Sequence, residues 1–137
     1  MLKQTTPIKE SHVKMFIPGI VWFFLILVLM CLPSADIPDL GSWFDKIYFD
    51  KWVHCGMFGV LTFSFIYPVT KLPLSQKVKR KTALKIAIGA CLWGLTTEFI
   101  QKFLISERSF DLLDWAADSL GVIIVYIFCR MKFLNFK

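Results

Sequence analysis

Four apolar blocks, each about as long as a bilayer is thick, dominate this chain of 137 residues. Phe16–Pro33 contains no charge, and Trp52–Val69 carries His54 as its ionisable group beside a thiol and a phenol. Ala83–Ile105 has Lys85 near one end and Glu98 with Lys102 near the other. Leu112–Cys129 holds Asp114 and Asp118 in its first half and is wholly apolar after them. A spanning helix needs ~20 mostly apolar residues at a rise of ~1.5 Å each. One such block fits a soluble core, but four leave too little chain to cover them. The composition agrees, at 56% hydrophobic and 19% charged, against ~45–50% and ~25% in ordinary soluble domains. A disordered chain, a basic nucleic-acid arm and a secreted disulfide miniprotein are all excluded.

The expected fold is all-α, a polytopic four-helix membrane bundle occupying residues 16–130. A cytoplasmic segment at 1–15 precedes it and a cytoplasmic tail at 131–137 follows it. Charge between the blocks gives the orientation. Residues 1–15 hold Lys3, Lys9 and Lys14 against Glu10, whereas residues 34–51 hold Asp36, Asp39, Asp45 and Asp50 against Lys46 and Lys51. The stretch Lys71–Lys85 has six basic residues and no acid. Residues 98–114 return to acid, with Glu98, Glu107, Asp111 and Asp114 against Lys102 and Arg108, and the tail carries Arg130, Lys132 and Lys137. Short cytoplasmic loops concentrate Lys and Arg, so both termini are expected in the cytoplasm, with the chain in the cytoplasmic (inner) membrane. The basic loop reads as a topogenic signal, and no nucleic-acid partner is expected.

Residues 3–35 have the outline of a signal peptide ending in Pro33-Ser34-Ala35. The apolar run is long for that role, and an uncleaved first helix is expected. Cys31, Cys55, Cys91 and Cys129 all fall inside apolar blocks without a C-x-x-C spacing, which predicts inert buried thiols.

The polar residues carry the functional information. Asp50-Lys51-x-x-His54 opens the second block, and Asp50 is placed to cap it. Glu98-x-x-Gln101 closes the third, Ser109 is placed to cap the fourth, and Asp111, Asp114 and Asp118 follow at spacings of three and four. Those spacings line one helical face. Because the second block starts, the third ends and the fourth starts on the same side, His54, Glu98, Gln101, Arg108, Asp111 and Asp114 are expected together near the outer leaflet. Ala87, Ala90 and Gly94 share the Glu98 stripe, Ala117 and Gly121 continue the Asp118 stripe, and Gly56 and Gly59 flank His54. Small residues let membrane helices approach closely, which turns the polar stripes inward. Asp118 then lies ~15 Å beyond Ser109, a depth at which an ionised carboxylate costs ~2.5–3.5 kcal/mol unless paired or hydrated. It needs a partner or a proton.

The ordered set of Asp50-Lys51-x-x-His54, Glu98-x-x-Gln101, Arg108, Asp114 and a small-residue turn ending Leu120-Gly121 resembles the VanZ family of membrane proteins. The likeness runs from Phe16 to Cys129. That family takes its name from a protein linked to teicoplanin resistance, and the resemblance implies a four-helix membrane protein of the bacterial cell envelope. The family commonly has Asn where this chain has Asp118. A carboxyl that keeps its proton donates and accepts hydrogen bonds much as an amide does, so a protonated Asp118 fills the same role.

Three functional classes fit these residues. Asp50, Lys51, His54, Glu98, Gln101, Arg108, Asp111, Asp114 and Asp118 form a binding pocket for an outward-facing envelope component in the first. A lipid head group, a lipid-linked glycan precursor or a glycopeptide would bind there, with Arg108 and Lys51 on its phosphate or carboxylate and Trp43, Trp52 and Phe110 at the interface. The second class is an enzyme with His54, Glu98 and Asp114 as candidate catalytic groups, by acid–base or metal chemistry. A bundle merely tied by its polar groups is the third. No G-x-S-x-G, H-E-x-x-H or Gly-rich phosphate loop occurs. Membrane lipids are the expected partners; one histidine is thin support for a metal, and no cofactor or metal is expected.

Overall fold

The structure is a computed structural model that describes residues 10–32, 48–106 and 108–134. Lys3, Lys9, Pro33-Ser34-Ala35, the acidic stretch as far as Lys46 with Trp43, Glu107 and Lys137 lie outside the described residues.

Every described element is an α-helix: α1 (Glu10–Lys14), α2 (Ile17–Met30), α3 (Phe49–Lys71), α4 (Gln76–Leu104) and α5 (Leu112–Phe133). Four helical stretches are long and apolar enough to cross a membrane: Glu10–Met30, Phe49–Lys71, Gln76–Leu104 and Leu112–Phe133. The all-α architecture expected from the apolar blocks is therefore present, with four helices long enough to cross a membrane. Pro18 explains the interruption between α1 and α2, because its ring lacks the N–H that would continue the helix onto Lys14. The backbone bonds Phe16 N to Val13 O and Ile20 N to Phe16 O, both 3.0 Å, bridge the gap.

Several helix boundaries differ from those expected. α4 begins at Gln76, not Ala83, because Ser75 caps it: Ser75 Oγ accepts from Val78 N at 3.4 Å. The basic run of the connecting stretch is thus helical, and 29 residues make ~44 Å of helix, longer than a ~30 Å hydrocarbon core. Asp111, rather than Ser109, caps α5, its Oδ1 accepting from Leu113 N at 2.8 Å. Asp50 does not cap α3 either. Tyr48 holds that position in the left-handed region (φ 52°), and Asp50 sits in the first turn. Helical structure also begins at Glu10, inside the segment set apart as 1–15, and α5 continues to Phe133, past residue 130.

α3 packs most extensively against α5, then α5 against α4 and α3 against α4, with α2 on the flank. Gly121 lets α3 and α5 meet: a Cβ there would fall 2.0 Å from the Cys55 carbonyl oxygen. Ala87, Ala90, Gly94, Ala117 and Gly121 are all buried, as the stripes predicted, and so is Gly59; Gly56 is exposed. Ile26, Met57, Phe58, Leu61 and Val122 fill the space between the helices. Two indoles lock neighbours together, Trp22 Nε1 donating to Met57 O (2.9 Å) and Trp115 Nε1 to Cys91 O (3.0 Å). Phe23 stacks on Trp93 with ring centroids 4.4 Å apart. The outward faces carry exposed Phe24, Val28, Leu92, Ile123, Ile124 and Phe128, an apolar surface of the kind that helices long enough to cross a membrane present to lipid. All four cysteines are free thiols, but of these Cys129 is fully buried and the other three are half-buried.

Candidate functional site

The first turns of α3, the last turns of α4 and the start of α5 lie at one end of the bundle, and their polar residues form two layers. Nearest the helix ends, Lys51 Nζ contacts Asp50 Oδ2 at 2.9 Å and Asp111 Oδ2 at 2.8 Å, and also pairs with Asp114 Oδ1. Asp111 does double work there. Its Oδ1 caps α5 while its Oδ2 takes the lysine, and the Lys51 hydrogen bond holds its carboxyl below the ordinary range against the opposing effect of burial.

One to two turns deeper, His54 from α3, Glu98 from α4 and Asp118 from α5 converge. His54 is 7% exposed, and Glu98 and Asp118 are both 0% exposed. His54 Nδ1 lies 2.9 Å from Asp118 Oδ1, a hydrogen bond whose proton sits on Nδ1 when Asp118 is ionised and on the carboxyl when it is not. Nε2 stands 3.9 Å from Asp114 Oδ1, which links the two layers. Glu98 Oε2 accepts from the Asp111 backbone N–H at 2.9 Å. The depth expected of Asp118 is thus answered by a partner, and that partner is His54.

Two oxygens stand out. Among the described residues, Glu98 Oε1 and Asp118 Oδ2 are the buried carboxylate oxygens with no hydrogen-bond partner; Gln76 Oε1, Ser119 Oγ, Trp93 Nε1 and Arg108 Nε are also buried without one, outside the cluster. Space for Asp118 comes from Gly94, where a Cβ would lie 2.9 Å from Asp118 Oδ2 and 3.1 Å from Asp118 Cβ. His54, Glu98 and Asp118 each offer a donor atom, and those atoms all lie within 4.8 Å of one another. Such a set can shuttle a proton, hold an ordered water or ligate a cation.

Of the nine residues expected to bind a ligand, His54, Glu98, Asp118, Lys51, Asp111 and Asp114 are brought together, with Asp50 at the exposed edge. Gln101 and Arg108 go elsewhere. Gln101 Nε2 donates to Met30 O (3.2 Å) and to Met30 Sδ (3.5 Å), fastening α4 to the end of α2. Arg108 Nη2 points to Leu32 O at 3.5 Å, so in this structure it meets backbone beyond α2 rather than the carboxylates. Among the three candidate catalytic residues, His54 and Glu98 are in the inner layer and Asp114 bridges to the outer one. The space that Gly94 makes for a carboxylate was not foreseen. Its signal was present, since Gly94 stands one helical turn before Glu98 on the same face.

Fold and site together define a class: a helical bundle with four candidate membrane-crossing helices and a buried His–Glu–Asp cluster towards one end. Compared with profiles of known protein families, with curated proteins and with solved structures, the chain shows no match.

Proposed function

We propose that this chain is a VanZ-like protein of the bacterial cytoplasmic membrane, with both termini in the cytoplasm. Its polar cluster faces outward and binds or modifies a component of the cell envelope, a lipid head group or a lipid-linked glycan precursor. Glycopeptide tolerance of the teicoplanin type is the associated phenotype. The alternation of acidic and basic connecting segments supports the orientation. The observation that carries the function is the pair of partnerless oxygens, Glu98 Oε1 and Asp118 Oδ2, inside the bundle. A cluster selected only to tie helices together would satisfy its buried acceptors, since each one left open costs ~1–3 kcal/mol. Ionisable groups placed within spanning helices are functional by default.

Glu98→Gln is the sharpest test, because glutamine keeps an acceptor for the Asp111 N–H while removing the charge. In a glycopeptide-sensitive host, tolerance conferred by the wild type should fall to the empty-vector level. Membrane accumulation and detergent melting should be unchanged. Loss of accumulation instead returns the cluster to a structural tie, and full tolerance at normal accumulation removes Glu98 from function. In a cysteine-free background, a cysteine at Ser75 should be protected from an impermeant thiol reagent in intact cells, and cysteines at Gly41 or Glu107 should react. Reversed labelling overturns the outward assignment.

The His54 Nδ1–Asp118 hydrogen bond favours a second reading. A carboxylate that fixes the imidazole leaves Nε2 as a base, which fits a membrane-embedded enzyme acting on a lipid-linked substrate. Turnover of a labelled envelope lipid, lost in Glu98→Gln, separates enzyme from binder.

A further inference from the structure

We propose that His54, Glu98 and Asp118 form a site for one divalent first-row metal ion of the zinc type. The inference deepens the functional reading above by assigning a ligand to the same cluster, and depends on that reading only for what occupies the remaining coordination position.

Three observations converge. The donor atoms come from three different helices, and all lie within 4.8 Å of one another. Tetrahedral zinc sits about 2.0–2.2 Å from nitrogen and oxygen ligands, which puts two ligands about 3.3–3.6 Å apart. Side-chain rotations that move the donor atoms by about 1 Å close the set. The second observation is that Glu98 Oε1 and Asp118 Oδ2 are buried and partnerless, while the other oxygen of each carboxylate is held, by the Asp111 N–H and by His54. Outer contacts of this kind orient metal ligands. The third is close approach: with no Cβ at Gly94, the Asp118 carboxylate lies directly against α4, one helical turn from Glu98.

Charge decides between a cation and an ordered water. Two carboxylates lie in the bundle interior, and the neighbouring cation, Lys51, is already engaged by Asp50, Asp111 and Asp114. A divalent ion neutralises the pair, whereas water leaves the desolvation cost standing. An imidazole beside two carboxylates suits zinc better than magnesium or calcium, which favour all-oxygen sites. The ligands bind as a neutral imidazole and two carboxylates, so any proton a carboxyl holds beforehand leaves to bulk water. Three protein ligands leave one position open, suited to a phosphate or carboxylate oxygen of an envelope molecule.

Purified wild-type protein in detergent, loaded with Zn2+ or Co2+ and washed, should retain about one ion per chain. It should show visible Co2+ absorption bands and a melting temperature that rises with zinc and returns with EDTA. Glu98→Gln and Asp118→Asn should each weaken binding by at least ~100-fold, while Glu10→Gln, an exposed carboxylate on α1, should not. Should either variant fail to accumulate, Cu2+ loaded into a His12→Gln background gives an independent answer. Its electron spin echo must carry imidazole nitrogen modulation from His54. Absent stoichiometric metal, absent modulation, or binding that survives both carboxylate variants overturns the proposal. A chain that binds no zinc yet loses tolerance in Glu98→Gln sinks the metal and leaves the functional reading. Zinc bound without any effect on tolerance does the reverse.

Discussion

At the basic end of the bundle, Lys79 Nζ donates to Thr70 O at 2.8 Å and Arg80 Nε to Leu134 O at 2.6 Å, while Lys71 lies over the Tyr67 ring at 5.0 Å. At the acidic end, Lys51 gathers three carboxylates and His54 meets Asp118 among buried residues. Both ends hold charge next to apolar helices, but they use it differently. The basic side chains stay at the rim and cap carbonyls at the ends of α3 and α5, where a cation opposes the negative end of the helix dipole. Nothing beyond folding and orientation is needed to explain them. The acidic end takes ionisable groups inside, supplies partners for some of their atoms and leaves two oxygens without any. Among the described residues, the basic end leaves one neutral amide oxygen, Gln76 Oε1, without a partner, whereas the acidic end leaves two carboxylate oxygens from residues of one cluster.

The largest effect should come from separating the helices that assemble the acidic end. Gly121 sets the α3–α5 approach, and its missing Cβ faces the Cys55 carbonyl, which is backbone and cannot rotate away. Gly121→Val should cost about 3 kcal/mol or more by forcing α3 and α5 apart, seen as lost accumulation or a much lower melting temperature in detergent. Gly56→Ala is the matched control, since a Cβ there meets nothing within 4 Å. Equal behaviour of the two would show that the close approach does not hold the acidic end together.

Much of this contrast was legible in the residue order. The four blocks, the inward small-residue stripes and the gathering of His54, Glu98, Asp114 and Asp118 followed from helical periodicity and from which block ends share a side. Helix starts were less legible, because capping is local competition: Ser75 extended α4 through a basic run that hydropathy assigned to a loop, and Asp111 won over Ser109. Gln101 and Arg108 were misplaced for a different reason. Periodicity gives the face a side chain occupies but not which neighbour covers that face, and here the end of α2 lies against it.

An intermediate effect should separate the two ends directly. Lys51→Ala leaves Asp50, Asp111 and Asp114 crowded around a missing cation at a partly buried position, where the lysine side chain is 19% exposed. A loss of about 2 kcal/mol is expected, between the values for surface and buried pairs. Lys79→Ala, which removes a carbonyl cap, should cost about 0.5 kcal/mol. The pH dependence carries a sign as well. Lys51 holds the Asp111 carboxyl below its ordinary value of 3.8, so the folded state binds that proton less readily than the unfolded chain. This contribution is complete above pH 3.8 and is lost as pH falls through the lower folded value. Lys51→Ala should therefore flatten the acid limb of the detergent melting curve measured against pH. An unchanged limb would show that Lys51 does not hold the carboxylate.

The smallest effect on stability is expected at the deepest carboxyl. Asp118→Asn keeps an oxygen that can accept from His54 Nδ1 and places an amide of nearly the same shape in the space Gly94 leaves. With divalent ions removed by EDTA, its melting should differ from wild type by less than about 1 kcal/mol, the net worth of a single hydrogen bond. Asp118→Leu removes the acceptor and leaves a buried ring N–H unsatisfied, at about 1–3 kcal/mol. The asymmetry matters because it tells whether shape or charge holds this end of the bundle. If shape suffices, the charge of Asp118 is free for chemistry or for a cation, and the acidic end differs in kind from the capped basic end. A loss in Asp118→Asn as large as that in Asp118→Leu would mean that the carboxylate–imidazole pair itself binds α3 to α5. The acidic end would then be a second structural clamp, built from side chains where the basic end uses carbonyl caps.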